Sequence, residues 1–261
     1  MEKIISDLSI EQFGLTRPEK VIWRIPQAVR TNKDALLLLK SKTMRSFLRG
    51  IDAVLMKNNI TWQLHELSRE KFAEWLRYYT EKMEELDYSV IASLEWYDKR
   101  IELGKTVEGL FFYQAGKLIC SGIFMIEGMQ KATFAFKASD RIDLSSEPNS
   151  SIGSVIDFFF IQEMLKRDIA IISAGKSRNA FGVFNTVGYL DYKFRFGYLP
   201  QPDMKSQFLD TIPMPESGIV LFYGVKDGAP GLYALQPHGT QKTYEVARFA
   251  TTELPFVVLE Y

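Results

Sequence analysis

Residues 149–198 read NSSIGSVIDFFFIQEMLKRDIAIISAGKSRNAFGVFNTVGYLDYKFRFGY, and this stretch decides the fold. A polar loop comes first, then an apolar helix. Ser154 is a candidate N-cap and Asp157 completes a Ser-x-x-Asp start signal. Val155, Ile156, Phe158, Phe159, Phe160, Ile161, Met164 and Leu165 cover most of that helix, while Gln162, Glu163, Lys166 and Arg167 form its polar stripe. Such a helix is expected to lie buried on a sheet. Ile169 to Ala174 is short, continuous and β-branched, the pattern of a strand covered on both faces, and Gly175 ends it. Ala180 to Val187 is expected as a short helix with Gly188 as its left-handed C-cap. Tyr192, Phe194 and Phe196 alternate with Lys193 and Arg195, which is strand period.

Upstream, Val21, Ile22, Trp23 and Ile25 suggest one strand, ended by Pro26. Residues 32–58 read as helical, with Gly50 as a break and a basic cluster of Lys40, Lys42, Arg45 and Arg49. Residues 60–64 read as a strand. Ser68 then starts an amphipathic helix with Phe72, Trp75, Leu76, Tyr79, Met83 and Leu86 on one face. A second helix is expected over about 91–103. Strands at about 109–114, 118–126 and 131–138 are separated by tight turns at Ala115-Gly116-Lys117 and near Gly128, which implies an antiparallel meander. A helical crossover should then place the strand at 169–174 parallel to the third meander strand. Beyond Pro200 a hairpin is expected about Asp227-Gly228, and Lys242 to Phe249 and Phe256 to Glu260 look like two further strands.

The order of elements, together with the closing Gly188-Tyr-Leu-Asp-Tyr192-Lys193-Phe-Arg-Phe196-Gly197, resembles a GNAT-type acyltransferase domain. The pattern is most similar to the Fem-type branch of peptidoglycan aminoacyltransferases. The segment Ser41–Asp52 resembles the Arg-rich helix that precedes the first strand in Fem-like proteins. The expected class is α/β with a mixed sheet: an N-terminal arm and basic helix over 1–59, a GNAT-like core over 60–200 and a β-rich extension over 201–261. The N-terminal part is shorter than a two-domain Fem-type protein requires.

The resemblance implies acyl or aminoacyl transfer to an amine of a small molecule or sugar-linked acceptor, with acyl-CoA as the expected co-substrate. A tRNA-dependent aminoacyltransferase and an inactive GNAT-shaped binding or scaffold protein are the alternatives. The donor is expected in the space between the third meander strand and the strand at 169–174. It would lie against Ala138 and Ser139, with phosphates at the loop Ser150, Ser151, Ile152, Gly153 and Ser154, and with Ser177 facing its thiol end. That loop has one glycine and no Arg or Lys, unlike the usual GNAT loop. Lys193 matches the lysine that in Fem-like enzymes lies near the acyl group or donor phosphate. Tyr189 is a candidate acid, Asn179 and Asn185 flank the last loop, and Glu95, with Glu127 and Asp140 behind it, is a candidate base.

Composition bounds the rest. The 261 residues are 46% hydrophobic, enough for one large domain or two small ones. Lys plus Arg and Asp plus Glu are both 32, so no global field favours nucleic acid, although charged tRNA stays open as a partner. One cysteine, Cys120, excludes internal disulfides. No signal-peptide core and no apolar run of about 20 residues is found, so a cytoplasmic protein is expected. His65 and His238 are the only histidines and have no partner at ligand spacing, so no metal is expected. No Gly-x-Ser-x-Gly, Gly-x-Gly-x-x-Gly or Walker-type loop occurs.

Overall fold

A computed structural model describes residues 3–26, 33–146 and 150–261. Asn32 and Asn149, at which two of the expected segments begin, lie outside them. In chain order the elements are β1 (Ile4–Ser9), β2 (Leu15–Pro18), β3 (Lys20–Arg24), α1 (Lys42–Arg49), α2 (Ile51–Lys57), β4 (Ile60–Glu66), α3 (Arg69–Glu85) and α4 (Leu94–Glu102). Then come β5 (Thr106–Gln114), β6 (Lys117–Glu127), β7 (Lys131–Ser139), α5 (Ile152–Lys166), β8 (Ile171–Arg178), α6 (Val187–Arg195) and β9 (Leu199–Pro202). The last strands are β10 (Phe208–Leu209), β11 (Thr211–Pro215), β12 (Val220–Lys226), β13 (Ala229–Gln236) and β14 (Phe256–Glu260). The chain divides into two compact units, one of residues 25–174 and one of residues 1–24 with 175–261. These limits differ from the boundaries at 59/60 and 200/201 that the sequence suggested.

In the unit 25–174, β4, β5, β6 and β7 pair antiparallel in succession, and β8 pairs parallel with β7. The expected meander and crossover are both present. The tight turns explain the meander: Ala115 and Gly116 adopt φ of 50° and 79°, and Gly128 adopts 52°. Successive residues of a strand point to opposite faces, and Phe111 and Phe112 show it on β5. Phe111 joins the core made with α3 and α4, alongside Phe72, Trp75, Tyr79, Tyr97 and Phe136. Phe112 instead meets Phe159 of α5 edge-on at 5.5 Å. Phe160 of α5 lies 5.0 Å from both Phe124 and Phe134. Gly122 makes room for this packing, since a Cβ there would sit 2.5 Å from Phe134 Cζ.

Helix α5 is apolar on most sides because it is covered on most sides. Its outward stripe is itself engaged: Gln162 accepts from the Ala35 amide at 3.1 Å and donates to the Lys33 carbonyl at 3.0 Å. Its N-cap is Ser151 rather than Ser154, and no side chain caps it. The reason is local. Ser151 Oγ lies 3.3 Å from Ser154 Oγ, and Asp157 is drawn to Lys137 instead of to the first-turn amides. The break at Gly50 separates α1 from α2 as expected, and Ser68 caps α3 by accepting from the Lys71 amide.

In the unit of residues 1–24 and 175–261, a five-stranded sheet runs β10-β2-β12-β13-β14, β1 pairs with β11, and β3 pairs with β9. Its core contains Ile10, Leu15, Val183, Ile212, Val220, Phe222, Tyr233 and Leu235. The hairpin at Asp227-Gly228 forms as expected, with φ of 50° and 79°. Phe256–Glu260 is a strand, parallel to β13. The segment 242–249 is not a strand. Glu245–Phe249 is a 3-10 helix, and the Tyr244 hydroxyl ties its start to Gln236 at 2.7 Å.

The closing motif also differs from its expected form. Val187–Arg195 is a helix capped by Thr186, whose hydroxyl accepts from the Tyr189 amide. Gly188 therefore sits inside a helix start rather than at a helix end, and Tyr192 to Arg195 are helical rather than extended. The buried set Leu190, Lys193 and Phe194 has three-and-four spacing, so helical burial wins over the apparent alternation. Gly197, at φ 79°, is the residue that ends the helix, with its amide bonding to Phe194 and that of Tyr198 to Lys193.

Candidate functional site

The first candidate lies in the unit 25–174, at the end of β7. Pairing with β8 covers only Lys131, Thr133 and the residue between them, although β7 continues to Ser139. Among the described residues, the edge of β7 from Phe134 to Ser139 therefore has no strand partner in β8. A β-bulge coincides with this parting. Phe134 faces Phe124 and Phe136 faces Ile123, so Ala135 is an extra residue with no partner in β6. The bulge also switches the strand's faces: Phe134 meets α5, whereas Phe136 lies 4.7 Å from Trp96 of α4. It directs Lys137 and Ser139 at the start of α5.

Of the expected donor residues, Ala138, Ser139 and Ser150 to Ser154 lie there, whereas Ser177 belongs to the other unit. Ala138 is buried in the α3–α4 core. Ser139 Oγ would lie 3.6 Å from a Cβ on Gly153, so the end of β7 and the first turn of α5 are in contact. The first-turn amides are mostly used within the chain. The amide of Ile152 donates to Ile142 O at 3.0 Å, and those of Ser154 and Val155 donate to Ser151 O. Ser150, 1% exposed, donates its hydroxyl to Ser145 O. Lys137 reaches across to Asp157 at 2.7 Å and to the Gly153 carbonyl at 3.2 Å. A phosphate cradle of free amides is thus not the arrangement found here. A lysine and a buried carboxylate stand at the helix start instead.

Cys120 lies under the same turn, its thiol 3.9 Å from the Ile152 carbonyl. Burial pushes this thiol up to about 12, so it is not a nucleophile at neutral pH. Burial also raises the Tyr78 hydroxyl well above its ordinary value, and the Asp140 carboxylate adds to the effect.

The second candidate lies in the other unit. Lys193 is 7% exposed. Its ammonium stands 4.9 Å from the centre of the Tyr189 ring and 5.6 Å from those of Tyr192 and Tyr198. Helical spacing brings Tyr189 and Lys193 together one turn apart. Trp23 backs the cage: it meets Tyr189 edge-on at 6.4 Å and Phe194 at 5.7 Å, and its indole donates to Ser177 Oγ at 2.9 Å. A buried ammonium held by aromatic faces is a preorganised positive charge. Lysine is buried this deeply only rarely.

The remaining expected residues have other tasks. Asn179 is fully buried and cross-links the sheet: its amide donates to Pro18 O and Tyr223 O and its oxygen accepts from the Tyr223 amide. Three of its four hydrogen-bonding positions are thus filled within the chain, which makes it structural. Asn185 is half-buried and donates to Arg178 O. Glu95 is exposed in the first turn of α4. Glu127 pairs with Lys105 at 3.0 Å and Asp140 with Lys82 at 2.9 Å, so neither is a free base. Among the described residues no group of His, Cys, Asp or Glu is arranged to hold a metal ion. Also among them, no helix is long and apolar enough to cross a membrane. Lys137 and the Ala135 bulge were not foreseen. The alternation of Lys131, Thr133, Ala135 and Lys137 hides the bulge, because the extra residue shows only in the register.

The order of strands and helices in the unit 25–174, with the parting of β7 from β8, defines a GNAT-like mixed α/β fold. Several solved structures resemble it at low sequence identity. FemX matches with a TM-score of 0.50 at 11% identity, over 71% of this chain and 60% of its own. L-PGS from Bacillus licheniformis matches at 0.48 and 12% identity, over 76% of this chain and 62% of that one. A tandem GNAT protein from the clavulanic acid biosynthesis pathway matches at 0.39 and 11% identity, over 73% and 53%. The chain thus spans less than two thirds of the length of these structures. No protein-family model matches the sequence, and no curated protein does so significantly.

Proposed function

We propose that this chain is an acyltransferase that moves an acyl group from acyl-CoA to the amine of a small or sugar-linked acceptor. The observation that carries the reading is the end of β7, which runs on to Ser139 past the Ala135 bulge after its pairing with β8 stops at Thr133. An extended donor arm adds to such an edge through main-chain hydrogen bonds. The acceptor nitrogen attacks the acyl carbonyl carbon, and the tetrahedral oxyanion then collapses with loss of the thiolate. The proton released by the amine ends on the leaving sulfur. The oxyanion needs a donor fixed in advance, and the amide of the bulge residue is suited to that part. In the other unit, Lys193 is a buried positive charge with the Tyr189 ring beside it.

One observation favours a second reading. The first-turn amides of α5 are engaged inside the chain rather than left for a pyrophosphate. An aminoacyl ester on tRNA makes no demand on that turn, so a Fem-type aminoacyl transfer fits it better. A thermal-shift and calorimetry screen with acetyl-CoA, longer acyl-CoAs and aminoacyl-tRNA separates the two. A donor that binds only the folded state raises its stability, by about 2.7 kcal/mol at a concentration a hundred times the dissociation constant. Acyl-CoA binding supports the first reading and binding of aminoacyl-tRNA alone supports the second. Binding of neither leaves a GNAT-shaped scaffold and sinks both.

A further inference from the structure

We propose that a cavity of about 360 Å³ in the unit 25–174 binds an aromatic carboxylate. It is separate from the β7 edge and does not rest on the acyl-transfer reading. Its size falls within the range of small-molecule sites. The floor is apolar, made by Leu48 and Ile51 from the N-terminal helices, Leu64 and Leu110 from the sheet, and Phe158 from α5.

One wall is aromatic. Trp62 stands on β4, the edge strand of its sheet, and is 42% exposed. It meets Phe159 edge-on at 4.9 Å, and Phe159 meets Phe158 at 6.1 Å. A tryptophan this exposed on an edge strand gains little for the fold, yet its ring is held by a neighbour at a defined angle. A planar ligand entering the cavity finds a face and an edge to pack against.

The rim decides the charge of the ligand. Its polar groups are Asp34, Arg49, Asp52, Gln162, Glu163 and Lys166. Three of these are committed. Asp34 accepts from the Leu36 amide, Gln162 is bonded at both ends to Ala35 and Lys33, and Glu163 pairs with Arg167 at 2.9 Å. Arg49, Asp52 and Lys166 have no ion pair or hydrogen bond among the described residues. Two uncommitted cations from separate helices therefore face one uncommitted carboxylate across the same cavity. The uncommitted balance is positive, and a carboxylate is the complement that an Arg fork recognises with most geometric specificity.

The test uses the full chain and 2-naphthoic acid as probe, with 2-naphthamide as its neutral counterpart. Isothermal calorimetry should give saturable one-site binding of the acid, with the amide at least about tenfold weaker, the loss expected for one charge-assisted hydrogen bond. Arg49→Gln and Lys166→Gln, both at exposed positions, should each reduce the preference for the acid and leave the amide's affinity unchanged. Trp62→Ala should weaken acid and amide alike. Absence of saturable binding, equal affinity for acid and amide, or an affinity indifferent to Trp62→Ala would each overturn the assignment. The two exposed charge substitutions keep the test decisive if Trp62→Ala alters folding.

Discussion

Lys193→Met should lower acyl transfer by about a hundredfold or more while changing stability little. The substitution keeps the length of the side chain and removes the charge. On the stability side gains and costs oppose each other. The ammonium at 4.9–5.6 Å from three tyrosine rings gains cation–π attraction, about 2 kcal/mol for a desolvated site. Holding a charge at 7% exposure works against that gain, and methionine packs well against aromatic faces. The net shift in urea unfolding should stay within about 1 kcal/mol. On the turnover side, loss of a preorganised charge that stabilises an anion costs about 3 kcal/mol, or on the order of a hundredfold. The assay is steady-state transfer with whichever donor the binding screen identifies, read beside unfolding curves. Lys193→Arg, which keeps the charge, should recover part of the rate. Arg195 is not a matched control for Lys193. Two residues along a helix turn the side chain by about 200°, and Arg195 is paired with Asp191 one turn back. Wild-type turnover in a stable Lys193→Met protein would refute the reasoning and leave the cage as a packing feature.

Two further outcomes test the electrostatics. The native Cys120 thiol, pushed up to about 12 by burial, should ignore a thiol-reactive disulfide reagent at pH 8 and react on unfolding; its thiolate fraction is roughly a thousandfold below that of an ordinary thiol. The Asp203 carboxyl is held below the usual carboxylate range, first by its hydrogen bond from Lys176 and also by the Lys205 amide. A lowered folded pKa means stability that is present above the unfolded value of about 4 and lost as pH falls through the folded one. Asp203→Asn should therefore cost stability at pH 7, and the difference should shrink as pH falls below about 4; a gap that does not shrink in acid would refute the assignment.

What was legible in the sequence follows from where the determinants lie. The meander was legible because each turn carries its own signal: Ala115-Gly116 and Gly128 adopt positive φ within a few residues of the strands they join. The crossover to β8 was legible because an apolar helix of this length between strands has one usual solution. The closing motif was misread because Tyr192-Lys193-Phe194-Arg195-Phe196 satisfies two periods at once. Only burial of Leu190 with Lys193 and Phe194, and the left-handed Gly197 after them, selects the helix. Asn179 was assigned to chemistry because it flanks a loop, whereas its three partners at Pro18 and Tyr223 are remote in sequence. The tyrosine cage around Lys193 was half visible: Tyr189 lies one helical turn away, but only once the segment is known to be helical.

The Lys137–Asp157 pair was hidden for a related reason, and it yields the sharpest structural test of the β7 edge. Without the bulge at Ala135, Lys137 would point to the face covered by α3 and α4, opposite Phe134, and could not reach α5. With it, the ammonium lies 2.7 Å from a carboxylate that is 5% exposed. Removing one member of a buried pair strands the other, at about 3 kcal/mol when one partner is partly solvated, whereas replacing both with apolar groups is close to neutral. Lys137→Met should therefore lower stability by about that amount, and Lys137→Met with Asp157→Leu should restore most of it. The comparison also separates two roles for the lysine. If Lys137 serves only to hold the first turn of α5 against β7, the double variant should regain donor affinity together with stability. If the ammonium contacts the donor itself, stability returns but affinity does not, because the missing charge faced the ligand as well as Asp157. Failure of the double variant to regain stability would mean that the pair is not what joins β7 to α5.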